Sequence, residues 1–347
     1  MAADEALLEE ALGAWPELRR PVATAVTRGL IHQTWRVEDG DRRYVLQRLN
    51  PIFALGVHEN IEAVTARLAE RGIETPRLCR TAEGSLFLDL GGDRGRFRLM
   101  TFVEGETHDV CPGPEPAASA GTLVARFHSA LDGLPHAFEP LGFPFHDTAR
   151  YFEGLDRALA THTDHRLHAE ASALAGRLHE IRDGWTLLDG VPDRAVHLDL
   201  KFNNILFRGD RACCLIDLDT LSRAPMWVEL GDAWRSWCNR RREHEEVAEL
   251  DVAIFEASAG AWLEAVDFEL GEAEVDSLAH ALERVSLELS ARFTTDILEE
   301  SYFGWNADLF SSRADHNLGR ARGQLSLHDQ ARETRADRLK FLRDHAS

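Results

Sequence analysis

The 347-residue chain lacks the features that define several classes of protein. Its five cysteines are an odd set without zinc-ligand spacing, which predicts buried, reduced thiols rather than a disulfide framework or a zinc site. No apolar stretch approaches the roughly 18 to 20 residues of a membrane-spanning helix, and the amino-terminal segment is acidic where a signal peptide would be basic. We therefore expect a cytoplasmic protein without a membrane partner.

Positive charge is also scarce. The chain has 39 Lys and Arg residues against 59 Asp and Glu residues, which gives a formal net charge of −20. Because the phosphate contacts that hold nucleic acids come from clustered cations, this composition predicts no nucleic-acid partner. The length exceeds what one hydrophobic core usually serves, so we expect two lobes. The sequence leaves the oligomeric state open.

The common glycine-rich phosphate loops are missing. Neither Gly-x-Gly-x-x-Gly nor Gly-x-x-x-x-Gly-Lys-Ser/Thr occurs anywhere in the chain. Residues 28–34, Arg-Gly-Leu-Ile-His-Gln-Thr, offer a substitute, because their single glycine permits a tight turn and Thr34 and backbone amides can donate hydrogen bonds. We predict that Thr34 binds a phosphate group.

Two polar motifs stand at opposite ends of an apolar hairpin. Residues 196–207 contain Asp199 and Asn204, and residues 216–220 contain Asp217. Structural turns at these places would be expected to carry glycine, proline or serine instead of carboxylates and amides. A carboxylate, an amide five residues later and a second carboxylate after a short hairpin are the groups that a Mg-ATP enzyme needs.

Each residue type suits one task in phosphoryl transfer, a reaction that depends mainly on positioning and charge neutralisation. Asp199 is the predicted base, which accepts a hydrogen bond from the attacking hydroxyl. Asn204 and Asp217 are the predicted Mg²⁺ ligands, because this hard cation prefers oxygen donors and takes few protein ligands. Lys201 is predicted to place positive charge beside the transferred phosphoryl group.

These residues carry a family resemblance. His197, Asp199, Lys201, Asn204 and Asp217 resemble the catalytic loop and metal motif of the aminoglycoside phosphotransferase and choline kinase superfamily, small-molecule relatives of protein kinases. The sequence of several segments is most similar to that of N-acetylhexosamine 1-kinases. That narrower resemblance rests on residues 44–50, 60–65, 217–220, 230–232, 292–296 and 315–322.

The resemblance implies an α+β, bilobal, protein-kinase-like fold with a small antiparallel sheet in the first lobe and a mostly helical second lobe. The nucleotide-binding lobe would span residues 1–103, with a hinge at about 100–105. The helical lobe would span residues 106–347 and include the catalytic loop, the metal motif and the helices that cap the acceptor. Residues 85–88 and 97–103 are predicted strands, and residues 58–71 a helix.

The cofactor implied is ATP with Mg²⁺. Backbone groups of Thr101, Phe102 and Val103 would hydrogen-bond adenine at the hinge. The strand position that usually carries a phosphate-binding lysine holds Gln47, with Arg48 beside it. Because alternation sends these two side chains to opposite faces, Arg48 after a local twist, or Arg36 on the paired strand, is the candidate for the missing charge.

The acceptor is expected to be a sugar or amino sugar. Asp219, Arg292, His32 and Tyr302 are its predicted ligands, although Asp219 could also bind metal and Arg292 could instead form a salt bridge between helices. Glu229 stands where the resembling family is expected to have Asp, so its structural role is uncertain from the sequence.

The predicted function is transfer of the γ-phosphoryl group of ATP to a hydroxyl of a sugar or amino sugar, with the anomeric hydroxyl of an N-acetylhexosamine as the specific hypothesis. Aminoglycoside, glucosamine, choline and homoserine kinases are alternatives. A catalytically silent, ATP-binding regulatory protein is the alternative from a different class.

Overall fold

A computed structural model describes residues 2–26, 31–143, 145–186, 188 and 190–346. The chain forms two compact units. The first contains Met1–Gly105, Gly133–Phe143 and Cys214–Ser222, and the second contains Glu106–Asp132, Pro144–Cys213 and Arg223–Ser347. The metal motif, residues 216–220, thus belongs to the first unit, whereas the sequence analysis assigned it to the second lobe. The two-lobe assignment itself stays a prediction.

The first unit is built on an antiparallel sheet with the strand order β1-β2-β3-β6-β4, and β5 pairs with the edge of β6. Its strands are β1 Val22–Val26, β2 Gln33–Asp39, β3 Arg42–Arg48, β4 Leu78–Cys79, β5 Leu88–Asp89 and β6 Arg96–Thr101. Its helices are α1 Ala2–Leu12 and α2 Val57–Glu70.

Local sequence signals explain most of these elements. The β2–β3 hairpin turns at Gly40, which has φ 63° as the predicted Asp-Gly bend requires. The helix predicted over 58–71 is α2. The prediction of a strand over residues 85–88 is wrong for most of this range, because Thr81 and Ser85 bond to each other in a tight turn. Only Leu88–Asp89 remains to pair with β6.

The two faces of this sheet have different tasks. Leu46 and Leu99 lie on the face that packs against Leu12 and Trp15, where they form an apolar core. The Trp15 indole Nε1 donates to the Cys79 carbonyl at 3.0 Å, so the polar atom of that core is satisfied. Strand alternation leaves the opposite face for polar side chains.

The second unit is mostly helical. Its helices are α3 Pro114–Leu131, α4 Thr148–Thr161, α5 His168–Asp183, α6 Met226–Trp237, α7 Val252–Ala265, α8 Glu272–Glu299, α9 Arg313–Glu333 and α10 Arg335–His345. The remaining strands are β7 Asp193–Val196, β8 Ile205–Arg208, β9 Arg211–Leu215, which reaches the first unit, and β10 Ser222–Pro225. β8 and β9 form the predicted hairpin, with Gly209 at φ 61° in its turn.

Helix α8 is the centre of the second unit. It contacts α4, α5, α6, α9 and α10. Most of its 28 residues are buried, as expected for a helix that is surrounded by other helices. Across the described part of the chain, no helix combines the length and apolarity that a membrane crossing demands.

Candidate active site

The loop between β7 and β8 brings three predicted residues together. The Asn204 Nδ2 group donates to the main-chain oxygen of Asp199 at 2.8 Å and to its Oδ2 at 3.0 Å. The Lys201 Nζ lies 3.1 Å from the same Oδ2. A short 3-10 turn, Phe202–Asn204, makes this five-residue separation compact. Among the described residues no donor bonds to Asp199 Oδ1, so this oxygen remains for another hydrogen-bond donor.

The charge state of Asp199 suits the role of an acceptor. Burial alone would raise its pKa, but the charges of Lys201 and His197 and the bond from Lys201 more than offset this, so the pKa of Asp199 lies below its ordinary value. The carboxylate is thus ionised at neutral pH. The side chain of Asn204, with Nδ2 committed to Asp199, leaves its Oδ1 as a neutral oxygen donor, which fits a Mg²⁺ ligand.

Glu229 holds the backbone of this loop. Its fully buried carboxylate accepts the main-chain N–H of His197 at 2.9 Å and that of Leu198 at 2.6 Å. Leu198 has φ 68°, a left-handed conformation that is strained for a branched residue. Glu229 stands where an aspartate is expected, and its longer side chain reaches both amides.

A hydrogen-bond chain determines which ring nitrogen of His128, the residue that contacts Glu229, carries the proton. The Trp262 indole Nε1 donates to His128 Nδ1 at 3.0 Å, so the neutral His128 ring carries its proton on Nε2. That Nε2 lies 3.0 Å from Glu229 Oε1. Burial raises the pKa of Glu229, but the hydrogen bonds from His128 and from the His197 main chain outweigh it, and the pKa lies below its ordinary value.

In the first unit, the metal motif forms a strained turn. Asp217 is exposed and has φ 64°, and a 3-10 turn, Leu218–Thr220, follows it. Asp219 within that turn is buried. The Arg98 guanidinium holds it in a fork, with Nη1 at 2.5 Å from Oδ1 and Nη2 at 2.6 Å from Oδ2, and His32 Nε2 lies 3.1 Å from Oδ2.

Both oxygens of the Asp219 carboxylate therefore have partners within the protein, whereas the sequence predicts a sugar or a metal as its partner. Burial would raise its pKa, but the charge of Arg98 and the bonds from His32 and Arg98 hold the pKa well below its usual range. His32 is fixed as well, because its Nδ1 accepts the main-chain N–H of Asn50 at 3.0 Å. Its Nε2 must then be the protonated nitrogen that donates to Asp219.

Gln47, Arg48 and Arg36, the residues considered in place of the phosphate-binding lysine, each contact other protein groups. Gln47 faces Arg98, accepting bonds from Nε at 2.9 Å and Nη2 at 2.7 Å, and it donates to Thr34 Oγ1 at 3.3 Å. Arg48 follows the register of Leu46, on the face that carries the α1 core. There its guanidinium contacts the Asp93 carbonyl and the Gln33 side chain. Arg36 is paired with Glu38 at 2.9 Å.

The first unit also contains a cavity of about 530 Å³. Two predicted acceptor ligands, His32 and Asp219, line it together with Arg48 and His58. His58 is 2% exposed, and its Nδ1 bonds to the Leu55 carbonyl at 2.9 Å, while its Nε2 has no hydrogen-bond partner among the described residues. Residues 28–30 of the predicted phosphate loop lie outside the described residues.

The predicted hinge has one backbone donor to spare. The N–H of Thr101 donates to the Arg77 carbonyl at 2.9 Å, and that of Phe102 donates to the Arg43 carbonyl at 3.2 Å. Within the described ranges, the N–H of Val103 has no such partner. A buried backbone N–H is seldom left without an acceptor. Of the three predicted hinge residues, Val103 is thus the one whose N–H is available to donate to adenine.

The predicted acceptor ligands of the second unit also meet. The guanidinium of Arg292 lies 4.8 to 5.6 Å from ring centroids, and its Nη2 is 3.4 Å from the Tyr302 hydroxyl. The rings are those of Phe145, Tyr151, Tyr302 and Phe303. In the part of the chain that the structure describes, no carboxylate forms an ion pair with Arg292, so the predicted alternative of an inter-helix salt bridge is wrong.

Two buried carboxylates of the second unit are paired with cations. His146 Nδ1 lies 2.8 Å from Glu288, and Arg235 Nη2 lies 2.8 Å from Asp232. Burial lowers the pKa of His146, but the Glu288 carboxylate more than offsets this, so the pKa of the imidazole lies above its ordinary value. No group of three His, Cys, Asp or Glu residues suited to a metal occurs among the described residues. A Mg²⁺ site with one carboxylate, one amide and phosphate oxygens does not need such a group.

Residues 22–284 match the phosphotransferase enzyme family, APH. The chain belongs to this family. Homoserine kinase of Bradyrhizobium sp. (strain BTAi1 / ATCC BAA-1182) is 27% identical over 175 residues, which are 50% of this chain and 50% of that protein. Homoserine kinase of Beijerinckia indica subsp. indica is 28% identical over 191 residues, 54% of this chain and 53% of that protein. The chain thus spans about half the length of the curated relatives it matches.

Solved structures share the fold of this APH-family chain. The microcompartment-associated aminopropanol kinase has a TM-score of 0.63 at 16% identity, covering 97% of this chain and 100% of its own. The amicoumacin kinase hAmiN, in complex with AMP-PNP, Ca²⁺ and Ami, has a TM-score of 0.62 at 12% identity, covering 94% of each chain. The predicted superfamily and fold class are confirmed. The narrower likeness to N-acetylhexosamine kinases stays a prediction.

One residue of this site, Arg98, was not found from the sequence. Arg98 interrupts an apolar strand, Phe-Arg-Leu-Met, and this lone charge was the available signal for a buried ion pair. The fold also places His146 Nε2 3.4 Å from the Leu198 carbonyl of the catalytic loop, a contact between residues 52 positions apart.

Proposed function

We propose that this phosphotransferase uses Mg-ATP to phosphorylate a hydroxyl of a neutral amino sugar, with the anomeric hydroxyl of an N-acetylhexosamine as the preferred acceptor. The observation that supports it most directly is the fixed carboxylate of Asp199. Its Oδ2 is held by Asn204 and Lys201, which leaves Oδ1 to accept the proton of the attacking hydroxyl.

The other residues have supporting roles in this proposal. Bound ATP supplies the phosphoryl group, and Mg²⁺ neutralises its charge. Asn204 and Asp217 are the proposed metal ligands, because one has an uncommitted amide oxygen and the other an exposed carboxylate. Val103, within the predicted hinge, offers its N–H to adenine. Thr34 remains the proposed hydrogen-bond donor to a phosphate group. Lys201 keeps Asp199 ionised and adds positive charge beside it.

The charges of the second unit favour a neutral acceptor over a polycation. Asp199, Asp232 and Glu288 each have a cationic partner, at 3.1, 2.8 and 2.8 Å. Arg292 forms no ion pair with a carboxylate among the described residues. Because these three carboxylates are paired with cations while Arg292 is not, the region suits an acceptor with carbonyl and hydroxyl oxygens. An acetamido sugar has these groups, whereas an aminoglycoside or choline brings an additional cation.

Homoserine is the second candidate. The curated relatives are homoserine kinases, and the carboxylate of an amino acid would match the guanidinium of Arg292. The ammonium group of homoserine would need a carboxylate, however, and Asp199, Asp232 and Glu288 already have cationic partners.

The test is ATP consumption with Mg²⁺ over a panel of N-acetylglucosamine, N-acetylgalactosamine, glucosamine, glucose, homoserine, choline and kanamycin. We expect turnover with an N-acetylhexosamine that is lost in Asp199→Asn, a variant of nearly the same shape. Turnover confined to homoserine would favour the second candidate. No turnover, with ATP still bound by the wild type but not by Asp217→Ala, would indicate a silent nucleotide-binding protein.

A further inference from the structure

We propose that Arg98 positions the magnesium ligand Asp217 by fixing the turn that follows it. The inference rests on the proposed function, because it takes Asp217 as a ligand of Mg²⁺. Arg98 does not itself touch metal or phosphate in this role. It is a positioning residue that acts through Asp219, and all the residues involved belong to the first unit.

The backbone at Asp217 needs an external support. Its φ of 64° and ψ of 58° place it in the left-handed region, which an aspartate adopts only at some cost in free energy. Such a conformation persists when the surroundings determine it from more than one side. The direction of the Asp217 carboxylate depends on this backbone, and Mg²⁺ requires nearly ideal octahedral geometry from its ligands.

The support comes from two residues that follow Asp217. Two residues after Asp217, the Asp219 carboxylate is gripped by the fork of Arg98, at 2.5 and 2.6 Å. Two residues later again, the Leu221 carbonyl accepts a bond from Asn60 on α2 at 3.3 Å. The side chains of Arg98 and Asp219 are each 2% exposed, so water does not compete for their bonds.

Gln47 holds the guanidinium of Arg98 in the correct plane. Its Oε1 accepts from Arg98 Nε and Nη2, and Thr34 in turn accepts from Gln47 Nε2. A lysine at position 47 would instead bring a second cation beside Arg98, against one carboxylate. This arrangement explains why a neutral amide occupies the strand position where the wider kinase pattern has a lysine. Besides Asp219, the described titratable groups that act on this cluster are His32 and His58.

A lysine at position 98 is the test substitution, because an ammonium keeps the charge but cannot form a two-bonded fork. The matched control is Arg96→Lys on the same strand, where Arg96 pairs with Asp89 at 2.8 Å with both side chains 40% exposed. Two quantities are measured on the full chain. One is the Mg²⁺ concentration for half-maximal turnover, and the other is the Mg²⁺ concentration for half of the thermal shift caused by ADP.

We expect Arg98→Lys to raise both Mg²⁺ concentrations by at least about fivefold, and Arg96→Lys to change them by less than about twofold. A lower melting temperature of Arg98→Lys with Mg²⁺ dependence within twofold of wild type would show a merely structural role and overturn the proposal. If Arg98→Lys does not fold, the double variant Arg98→Gln with Asp219→Asn replaces the ion pair by a neutral amide pair. An unchanged Mg²⁺ dependence in that variant overturns the proposal equally.

The failure of the proposed function is a separate result. Wild-type protein without turnover on any acceptor, but with an Mg²⁺-dependent thermal shift by ADP, would contradict the function. The positioning role of Arg98 would then still be decided by the second measurement alone.

Discussion

Leu198 shows how a single residue of the candidate site stores strain. Its φ of 68° costs roughly 1 to 2 kcal/mol for a branched side chain. The carboxylate of Glu229 offsets this cost, because it accepts the N–H of Leu198 itself and that of the preceding His197. The backbone entering Asp199 therefore depends on one buried side chain.

We expect Glu229→Gln to lower the free energy of unfolding by about 2 kcal/mol, because an amide offers one acceptor oxygen where the carboxylate offers two. Turnover should fall at least about tenfold with little change in the Michaelis constant for ATP, since the loop that carries Asp199 loses its support. Urea unfolding and steady-state kinetics measure the two effects. The exposed Glu153→Gln on α4 is the control, and equal behaviour of the two variants would contradict the role of Glu229.

His58 gives a prediction about pH. Burial lowers its pKa from 6.5 in the unfolded chain to about 4 in the folded protein. The unfolded state therefore binds the proton first as the pH falls, so His58 lowers stability progressively between pH 6.5 and pH 4 and has no effect above pH 6.5.

The variant His58→Asn, which keeps a donor for the Leu55 carbonyl, should lose this dependence. Between pH 7 and pH 4.5, its free energy of unfolding should fall by about 2 to 3 kcal/mol less than that of the wild type. Urea unfolding at several pH values provides the comparison, with exposed His345→Asn as control. Parallel curves for wild type and His58→Asn would show that His58 is protonated in the folded state.

At the scale of elements, helix α6 carries much of the support for the catalytic loop. Glu229 bonds to the loop backbone, Ser236 Oγ accepts the N–H of Phe202 at 3.1 Å, and the Trp237 indole donates to the Leu200 carbonyl at 2.7 Å. The position of α6 is set by its close approach to α8. At Gly231, a Cβ atom would lie 2.6 Å from the Ala281 carbonyl oxygen, so only glycine fits without movement.

We expect Gly231→Ala to lower the free energy of unfolding by about 1 to 3 kcal/mol, because overpacking displaces α6 from α8. Turnover should fall with it, since the displaced helix carries Glu229. Gly176→Ala is the control, because a Cβ there meets nothing within 4 Å, and it should be neutral or stabilising by about 0.5 to 1 kcal/mol. Thermal unfolding and kinetics of both variants test the pair, and an unaffected Gly231→Ala would refute the close approach.

The elements that sequence reasoning found are those defined by short-range signals. Asp199 and Asn204 are five residues apart in one loop, and the hairpins have turn residues between apolar strands, so their proximity follows from local geometry. Arg98 and Asp219 are 121 residues apart, and Glu229 is 31 residues from Leu198. Burial determined these pairings, because a buried charge must find a partner somewhere in the fold, and one sequence does not say where.

At the scale of the whole molecule, a formal net charge of −20 is the dominant electrostatic property. Self-repulsion of this size opposes the compact state, and salt screens it over a Debye length of about 10 Å at 0.1 M. Surface ion pairs are screened too, but each is worth only about 0 to 1 kcal/mol.

We therefore expect the melting temperature to rise by a few degrees when NaCl is increased from about 10 to 200 mM at pH 7.5. Differential scanning fluorimetry measures this directly, and NaCl, KCl and sodium acetate should agree if screening is the cause. A melting temperature that falls with salt would show that attraction within ion pairs outweighs the net repulsion.

The contact between Lys201 and Asp199 has a practical consequence. The chain contains two lysines, Lys201 in the catalytic loop and Lys340 on the exposed side of α10. Lys201 is 37% exposed and 3.1 Å from Asp199. An amine-reactive nucleotide, such as an acyl phosphate of ATP, thus has one side-chain amine in the candidate site and one on the surface. Peptide mass spectrometry can report nucleotide occupancy from the acylation of Lys201, with Lys340 of the same molecule as the internal standard.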